Sequence, residues 1–296
     1  MPKTTLAAQG NSSSKFMKAL VAAEGKVGKT TFLAASILGA LPGQEGGLVD
    51  KPENFHLIGF DEAFADGLLN FLVKTCGRPD LATLSIWPFT KEIREASRGK
   101  GWDMSVGSGV VRDLLAIQAE VKKGGVHAQL FSSLTGLALG VEAGLAGEPD
   151  PNKKGAGMDQ SKWGSFGHQM NHIRNVAQTD ILHTFWEGHI TKTSGEKEED
   201  RKDTISVSGK VGQNWGFNVE QVFRLRREAA KYPGTAIDKV FMETRPTLDF
   251  VSGGRGFNEA LLPREYDIVA VAKKLGKTIG GYRAPAKAAV VTPPQG

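Results

Sequence analysis

Phe16-Met17-Lys18-Ala19-Leu20-Val21-Ala22, then Ala23-Glu24-Gly25-Lys26-Val27-Gly28-Lys29-Thr30, then Thr31-Phe32-Leu33-Ala34-Ala35: this stretch decides the fold class. Its first seven residues predict a short buried strand and residues 31–40 predict a helix, so a glycine-bearing loop joins a strand end to a helix N-terminus. Gly25 and Gly28 let the backbone curl tightly enough to aim consecutive N–H groups at one anion. The helix that follows directs its positive end at the same point. Lys29 adds an ammonium for the β- and γ-phosphates, and Thr30 a hydroxyl suited to Mg²⁺. The pattern is that of a phosphate-binding loop with Ala23 in the first glycine position. The residues expected to cradle a nucleotide, ATP or GTP, are Ala23, Glu24, Gly25, Lys26, Val27, Gly28, Lys29, Thr30 and Thr31. The bland alternative is a glycine turn between strand and helix, which the flanking pattern disfavours.

The chain has 296 residues, 40% of them apolar, enough for one large α/β domain with a full core. The single cysteine, Cys76, excludes a disulfide framework and a Cys-based zinc site, and is expected to be a buried small apolar residue in a reducing cytosol. No uninterrupted apolar run reaches membrane-spanning length, so no membrane partner is expected. The net charge of +5 permits a nucleic-acid partner without demonstrating one.

Residues 1–14 predict a flexible N-terminal segment, residues 15–281 a single domain, and residues 282–296, rich in Ala and Pro, a disordered tail. Within the domain, Phe55-His56-Leu57-Ile58-Gly59-Phe60 predicts a second buried strand and Thr83-Leu84-Ser85-Ile86-Trp87 a third. Residues 110–123 space their apolar side chains as an amphipathic helix. His127-Ala128-Gln129-Leu130-Phe131 predicts a strand leading into Ser132-Ser133 and a helix through Val141. Residues 169–178 predict another helix, residues 180–190 a strand, and residues 219–227 and 239–244 antiparallel edge strands, with 247–251 returning across a turn. Strands alternating with helices favour a parallel sheet covered on both faces, with its ligand at the carboxyl ends of the strands. Residues 147–167 and 194–210 predict two long loops, the second carrying the mixed-charge run Glu196-Lys197-Glu198-Glu199-Asp200-Arg201-Lys202-Asp203. Loops this long in a compact domain are uncommon unless functional or disordered.

The order of these motifs resembles the RecA-like P-loop ATPase core, especially the small phage-encoded RecA-like proteins of recombination, over about residues 15–256. The phosphate loop is its specific part. The resemblance implies a RecA-like P-loop NTPase core: a mostly parallel sheet with helices on both faces and antiparallel edge strands near the C-terminus. RecA-type cores carry a glutamate just past the strand that follows the loop helix. In Phe60-Asp61-Glu62-Ala63-Phe64-Ala65-Asp66 this implies Glu62 as the base that polarises the attacking water, with Asp61 as understudy and as an electrostatic neighbour of the metal. At the Walker B strand the chain departs from the family: Leu130-Phe131-Ser132-Ser133 puts Ser132 where a Mg²⁺-orienting aspartate is expected. A hydroxyl can hold a water on the metal but brings no charge, which leaves weaker Mg²⁺ binding and slow or lost hydrolysis as open outcomes. In Phe185-Trp186-Glu187-Gly188-His189-Ile190, His189 occupies the position of the family's γ-phosphate sensor.

By the same resemblance the two long loops correspond to DNA-contacting loops. Lys153, Lys154 and Lys162 would neutralise phosphates, with Trp163 as a stacking surface; Phe166 reads better as core. Arg224, Arg226 and Arg255 are the candidates for basic residues completing a neighbouring subunit's site. The implied activity is Mg²⁺-dependent hydrolysis of ATP to ADP and phosphate, with Lys29, Glu62 and His189 as catalytic residues, coupled to single-stranded DNA in a homo-oligomeric ring or filament in a bacterial or phage-infected cytoplasm. The competing expectation is a nucleotide-binding switch or assembly factor with little hydrolysis, for which Ser132 is the best support. A small-molecule kinase or a GTPase ranks lower: the acids of residues 196–203 would repel phosphate in a lid, and no Asn-Lys-x-Asp base-reading motif is present.

Overall fold

The computed structural model describes residues 15–25, 27–41, 43–60, 64–89, 104–146, 158–192, 203–207, 209–228, 239–243, 253–254 and 268–280. The first half of the chain forms β1 (Lys18–Ala23), α1 (Lys29–Ile37), β2 (Phe55–Gly59), α2 (Phe64–Asn70), β3 (Ile86–Pro88), α3 (Met104–Val121), β4 (Ala128–Ser132) and α4 (Leu134–Ala146). The second half forms α5 (Gln160–Ala177), β5 (His183–Lys192), β6 (Asp203–Ile205), α6 (Gly209–Trp215), β7 (Gln221–Glu228), β8 (Lys239–Glu243), β9 (Gly253–Gly254) and α7 (Ile268–Lys274). The fold is α/β with a mostly parallel mixed sheet in the order β3-β2-β4-β5-β1-β7-β8. All neighbours from β3 to β7 run parallel; β8 and β9 join β7 antiparallel, and β6 joins β5 antiparallel.

Strand alternation divides the core into two layers. Ala19, Val21, Ala23, Leu130, Phe185 and Phe223 face one side, where α1 and α7 pack through Leu33, Ile37, Ile268 and Val271. Leu20, Ala22, Phe131, Trp186 and Val222 face the other, against α3, α4 and α5. There Trp186 stacks on Phe131 at 4.0 Å between ring centroids and meets Trp215 edge-on at 5.1 Å. Gly136 lets α4 approach the end of β2: a Cβ there would lie 2.6 Å from Phe60 Cβ. The Phe60 N–H in turn donates to the Ser132 carbonyl. No described helix is long and apolar enough to cross a membrane.

Several sequence expectations change. Residues 160–167 are not loop but the first two turns of α5, whose start is capped by the Asp159 carboxylate accepting from Lys162 N at 2.8 Å. Gly164 and Gly167 obscure that helix in the sequence, yet Phe166, Met170, Ile173 and Ala177 form its buried stripe. The Phe166 expectation as core therefore holds. Within 194–210, residues 203–205 form β6 beside β5. β7 is an edge strand only toward its end: β1 pairs in parallel with residues 221–224, and beyond them the described pairing is with β8. Cys76 is half-buried rather than fully buried, and desolvation pushes its thiol above the usual range. Residues 1–14, 247–251 and 282–296 lie outside the described residues.

His183 begins β5 and ties the residue before β1 and the segment after α7 to the sheet. Its Nδ1 accepts from Met17 N at 2.9 Å, so Nε2 carries the proton that bonds the Thr278 carbonyl, also at 2.9 Å. Burial removes solvent from the ring, with further opposition from the positive charge of Lys277, and the pKa is pushed down to about 4. The unfolded chain binds this proton near pH 6.5 and the folded chain does not. The contribution is thus complete above pH 6.5 and lost as pH falls toward 4. It amounts to about 3 kcal/mol. In urea unfolding, the stability gap between the protein and His183→Gln should close by about that amount between pH 7 and 4.

Candidate functional site

β1 ends at Ala23, and the chain leaves it through Glu24 and Gly25 to reach Gly28 in the left-handed region at φ 84°. That conformation strains any residue with a Cβ, so Gly28 is required by the backbone. Gly25 differs from the sequence expectation: it is not left-handed, and a Cβ built there meets nothing within 4 Å. Of the two glycines only Gly28 is left-handed. α1 starts immediately after it, with Phe32 N and the Thr31 hydroxyl both donating to the Gly28 carbonyl, at 2.9 and 2.7 Å.

Lys29 is 3% exposed, with its ammonium folded back over the loop. Nζ donates to the Glu24 carbonyl at 3.1 Å, sits 3.5 Å from the Ala23 carbonyl, and approaches His189 Nδ1 at 3.2 Å. An ammonium only donates, so the Nδ1 of His189 accepts and its proton resides on Nε2. One residue on, Thr30 Oγ1 donates to Glu187 Oε2 at 2.7 Å. Its single proton being committed there, the 2.9 Å contact with Ser132 Oγ has Ser132 as donor.

Strand register brings these groups together. β5 lies between β1 and β4, with Val21 opposite Glu187, Ala23 opposite His189 and Phe131 opposite Trp186. Glu187 and His189 share the face of Phe185, and Ser132 that of Leu130, which is the face covered by α1. Lys29, Thr30, Ser132, Glu187 and His189 thus converge at the α1 N-terminus, where β1 and β4 end. Of the expected residues, the structure unites Lys29, Thr30, Ser132 and His189. Glu187 was missed: its strand also carries His183, Thr184 and His189, so one more polar residue there gave no local signal. Lys26, Asp61, Glu62, Lys153, Lys154 and Arg255 lie outside the described residues.

The remaining candidates sit elsewhere. Lys162 Nζ donates to the Ala146 carbonyl at the end of α4, at 2.7 Å, and Trp163 is 39% exposed. Arg224 lies opposite Ala22 in the sheet interior and pairs with Asp203 of β6 at 2.6 Å, with Glu24 of the loop 4.0 Å away. Its guanidinium is thus engaged by a carboxylate of its own chain. Arg226 is half-exposed and pairs with Glu243 at 3.0 Å. Among the described residues, an open groove of about 430 Å³ borders β3 and α3. Its lining is apolar apart from Asp113 and Glu120, which repel an anion.

No protein-family model matches this chain, and a search of the curated proteins gave no match either.

Arg224 and Arg226 of β7 should respond unequally to truncation. Arg224→Met leaves Asp203, 7% exposed, as an uncompensated buried charge and should destabilise the protein by about 3 kcal/mol. Arg226→Met removes a surface pair and should cost less than about 1 kcal/mol. Urea denaturation of the two variants measures the difference.

Proposed function

We propose that this protein is a RecA-like, Mg²⁺-dependent ATPase whose nucleotide cycle is coupled to single-stranded DNA in recombination or replication. The observation that carries the reading is the convergence of Lys29 and Thr30, at the start of α1, with Ser132 and His189 from two adjacent parallel strands. The resemblance assigns these strands to the Walker B and sensor positions beside the loop strand, and they neighbour one another in that sense. Fit to Mg²⁺ is supported by the donor set: the Thr30 hydroxyl, the Ser132 hydroxyl and the Glu187 carboxylate meet within hydrogen-bond distance of Thr30 Oγ1. When bound, Mg²⁺ would neutralise phosphate charge and fix the geometry of the terminal phosphates.

The chain's own residues supply the rest. The left-handed turn at Gly28 aims the first N–H groups of α1 at the phosphates. Lys29, held meanwhile by the Ala23 and Glu24 carbonyls, exchanges those bonds for phosphate oxygens, a stronger charge-assisted pairing. That exchange withdraws the ammonium from His189 Nδ1, so the strand carrying His189 would register whether the loop is occupied. Beyond His189, β5 continues to Lys192 and pairs with β6, which leads from the mixed-charge segment. Glu62 remains the proposed base, Lys153, Lys154 and Lys162 the proposed DNA contacts, and a homo-oligomer in a bacterial or phage-infected cytoplasm the proposed setting. With Arg224 committed to Asp203, the trans-acting role falls to Arg226 and Arg255.

A second reading, a nucleotide-binding switch or assembly factor with little hydrolysis, is favoured by Ser132 in place of an acid at the end of β4. Steady-state ATP hydrolysis and ATP binding, with and without single-stranded DNA, separate the two. The ATPase reading expects turnover that rises with DNA. Lys29→Ala should abolish turnover and weaken ATP binding by on the order of 100-fold, since it removes a charged hydrogen-bond donor from the phosphates. Tight binding with no turnover in either condition selects the switch, and unchanged turnover in Lys29→Ala removes the site assignment.

A further inference from the structure

We propose that Glu187 supplies the carboxylate of the metal site that the end of β4 lacks, so that the site's negative charge has moved one strand across the sheet. This rests on the nucleotide reading above.

Three observations carry it. First, Glu187 Oε2 accepts from Thr30 Oγ1 at 2.7 Å, the hydroxyl that the phosphate loop devotes to the metal. Second, Ser132 and Glu187 follow the Phe131–Trp186 pair on adjacent strands and point to the same face, so both reach Thr30. Ser132 uses its proton on Thr30 and brings no charge; Glu187 brings one. Third, Glu187 is 2% exposed, on a strand whose preceding residues are Phe185 and Trp186. A carboxylate held there carries a desolvation penalty that an apolar residue of similar size would avoid, and a cation at the same point offsets it.

The donor set also selects the ion. Among the described residues no three His, Cys, Asp or Glu side chains cluster into a ready-made metal cage. Zinc and calcium sites need more protein ligands than this. Mg²⁺ takes one or two carboxylates and fills its octahedron with hydroxyl, water and phosphate oxygens, which one carboxylate beside Thr30 suits. On this account Ser132 does not mark a lost metal site; it is the partner of a relocated acid.

The competing account makes Glu187 a structural pin between α1 and β5. A pin changes stability but not the dependence of nucleotide binding on metal. The test uses the full chain and a non-hydrolysable ATP analogue, titrated calorimetrically in Mg²⁺ and in EDTA, with Mn²⁺ affinity in the analogue complex followed by electron paramagnetic resonance. Removing Mg²⁺ should weaken analogue binding to the unaltered protein by about tenfold or more. Ser132→Ala should keep most of that ratio. Glu187→Gln, which retains a hydrogen-bond acceptor for Thr30, should reduce the ratio to within about twofold and weaken Mn²⁺ by roughly 10- to 100-fold. The double variant Ser132→Asp, Glu187→Gln returns a carboxylate to β4 and should restore both. An unchanged ratio and unchanged Mn²⁺ affinity in Glu187→Gln overturn the proposal. Metal-independent binding by the unaltered protein overturns it too, while leaving the nucleotide reading intact; no analogue binding in either condition removes both.

Discussion

The parallel pairing of β1 with β5 is the constraint on which the rest of this structure depends. It puts the loop-bearing strand inside the sheet, beside the central β5 and buried on both faces, and sets Ala23 beside His189. A one-residue slip would turn Glu187 and His189 to the opposite face and bring Trp186 under α1. The register is held by bulk as well as by hydrogen bonds: Trp186 fits only on the face where Phe131 and Trp215 receive it. The geometry of the candidate site is therefore a consequence of core packing one residue away.

Buried polar groups reinforce the same arrangement. Gln129 on β4 donates to the Ala177 carbonyl at 2.9 Å and lies 3.1 Å from the Thr184 hydroxyl, while Gln118 of α3 donates to Gln129 Oε1 at 3.0 Å. One network thus joins two strands and two helices, and each bond withdraws a polar group from an otherwise unfavourable burial. At the other end of β5, His183 and the segment after α7 close the domain. Gly280 N donates to the Leu48 carbonyl, and a Cβ at Gly280 would lie 2.2 Å from Val49. A segment near the end of the chain is in this way built into the layer that carries the loop helix.

Local signals were legible where a residue's task is local. The left-handed glycine at position 28, the lysine and threonine after it, and the apolar runs of β1, β2 and β4 could be read directly, because turn sterics and strand burial act over a few residues. Elements whose formation depends on distant partners were harder. The first turns of α5 carry two glycines and few apolar residues, and become helical because Phe166 has a core to enter. Arg224 and Arg226 look alike on an alternating strand, but β7 is interior near β1 and outer near its end, so one is buried and the other half-exposed.

By itself the sequence determined the α/β class and the loop with Lys29 and Thr30, because these follow from short-range stereochemistry and side-chain type; Ser132 and His189 were candidates through the resemblance in motif order alone. Tertiary structure alone decided which acid accompanies them. Glu187 lies 157 residues from Thr30 along the chain. Nothing local distinguishes it from an ordinary strand residue. Only parallel pairing, which aligns residues remote in sequence at the same height of the sheet, carries its carboxylate to the threonine hydroxyl.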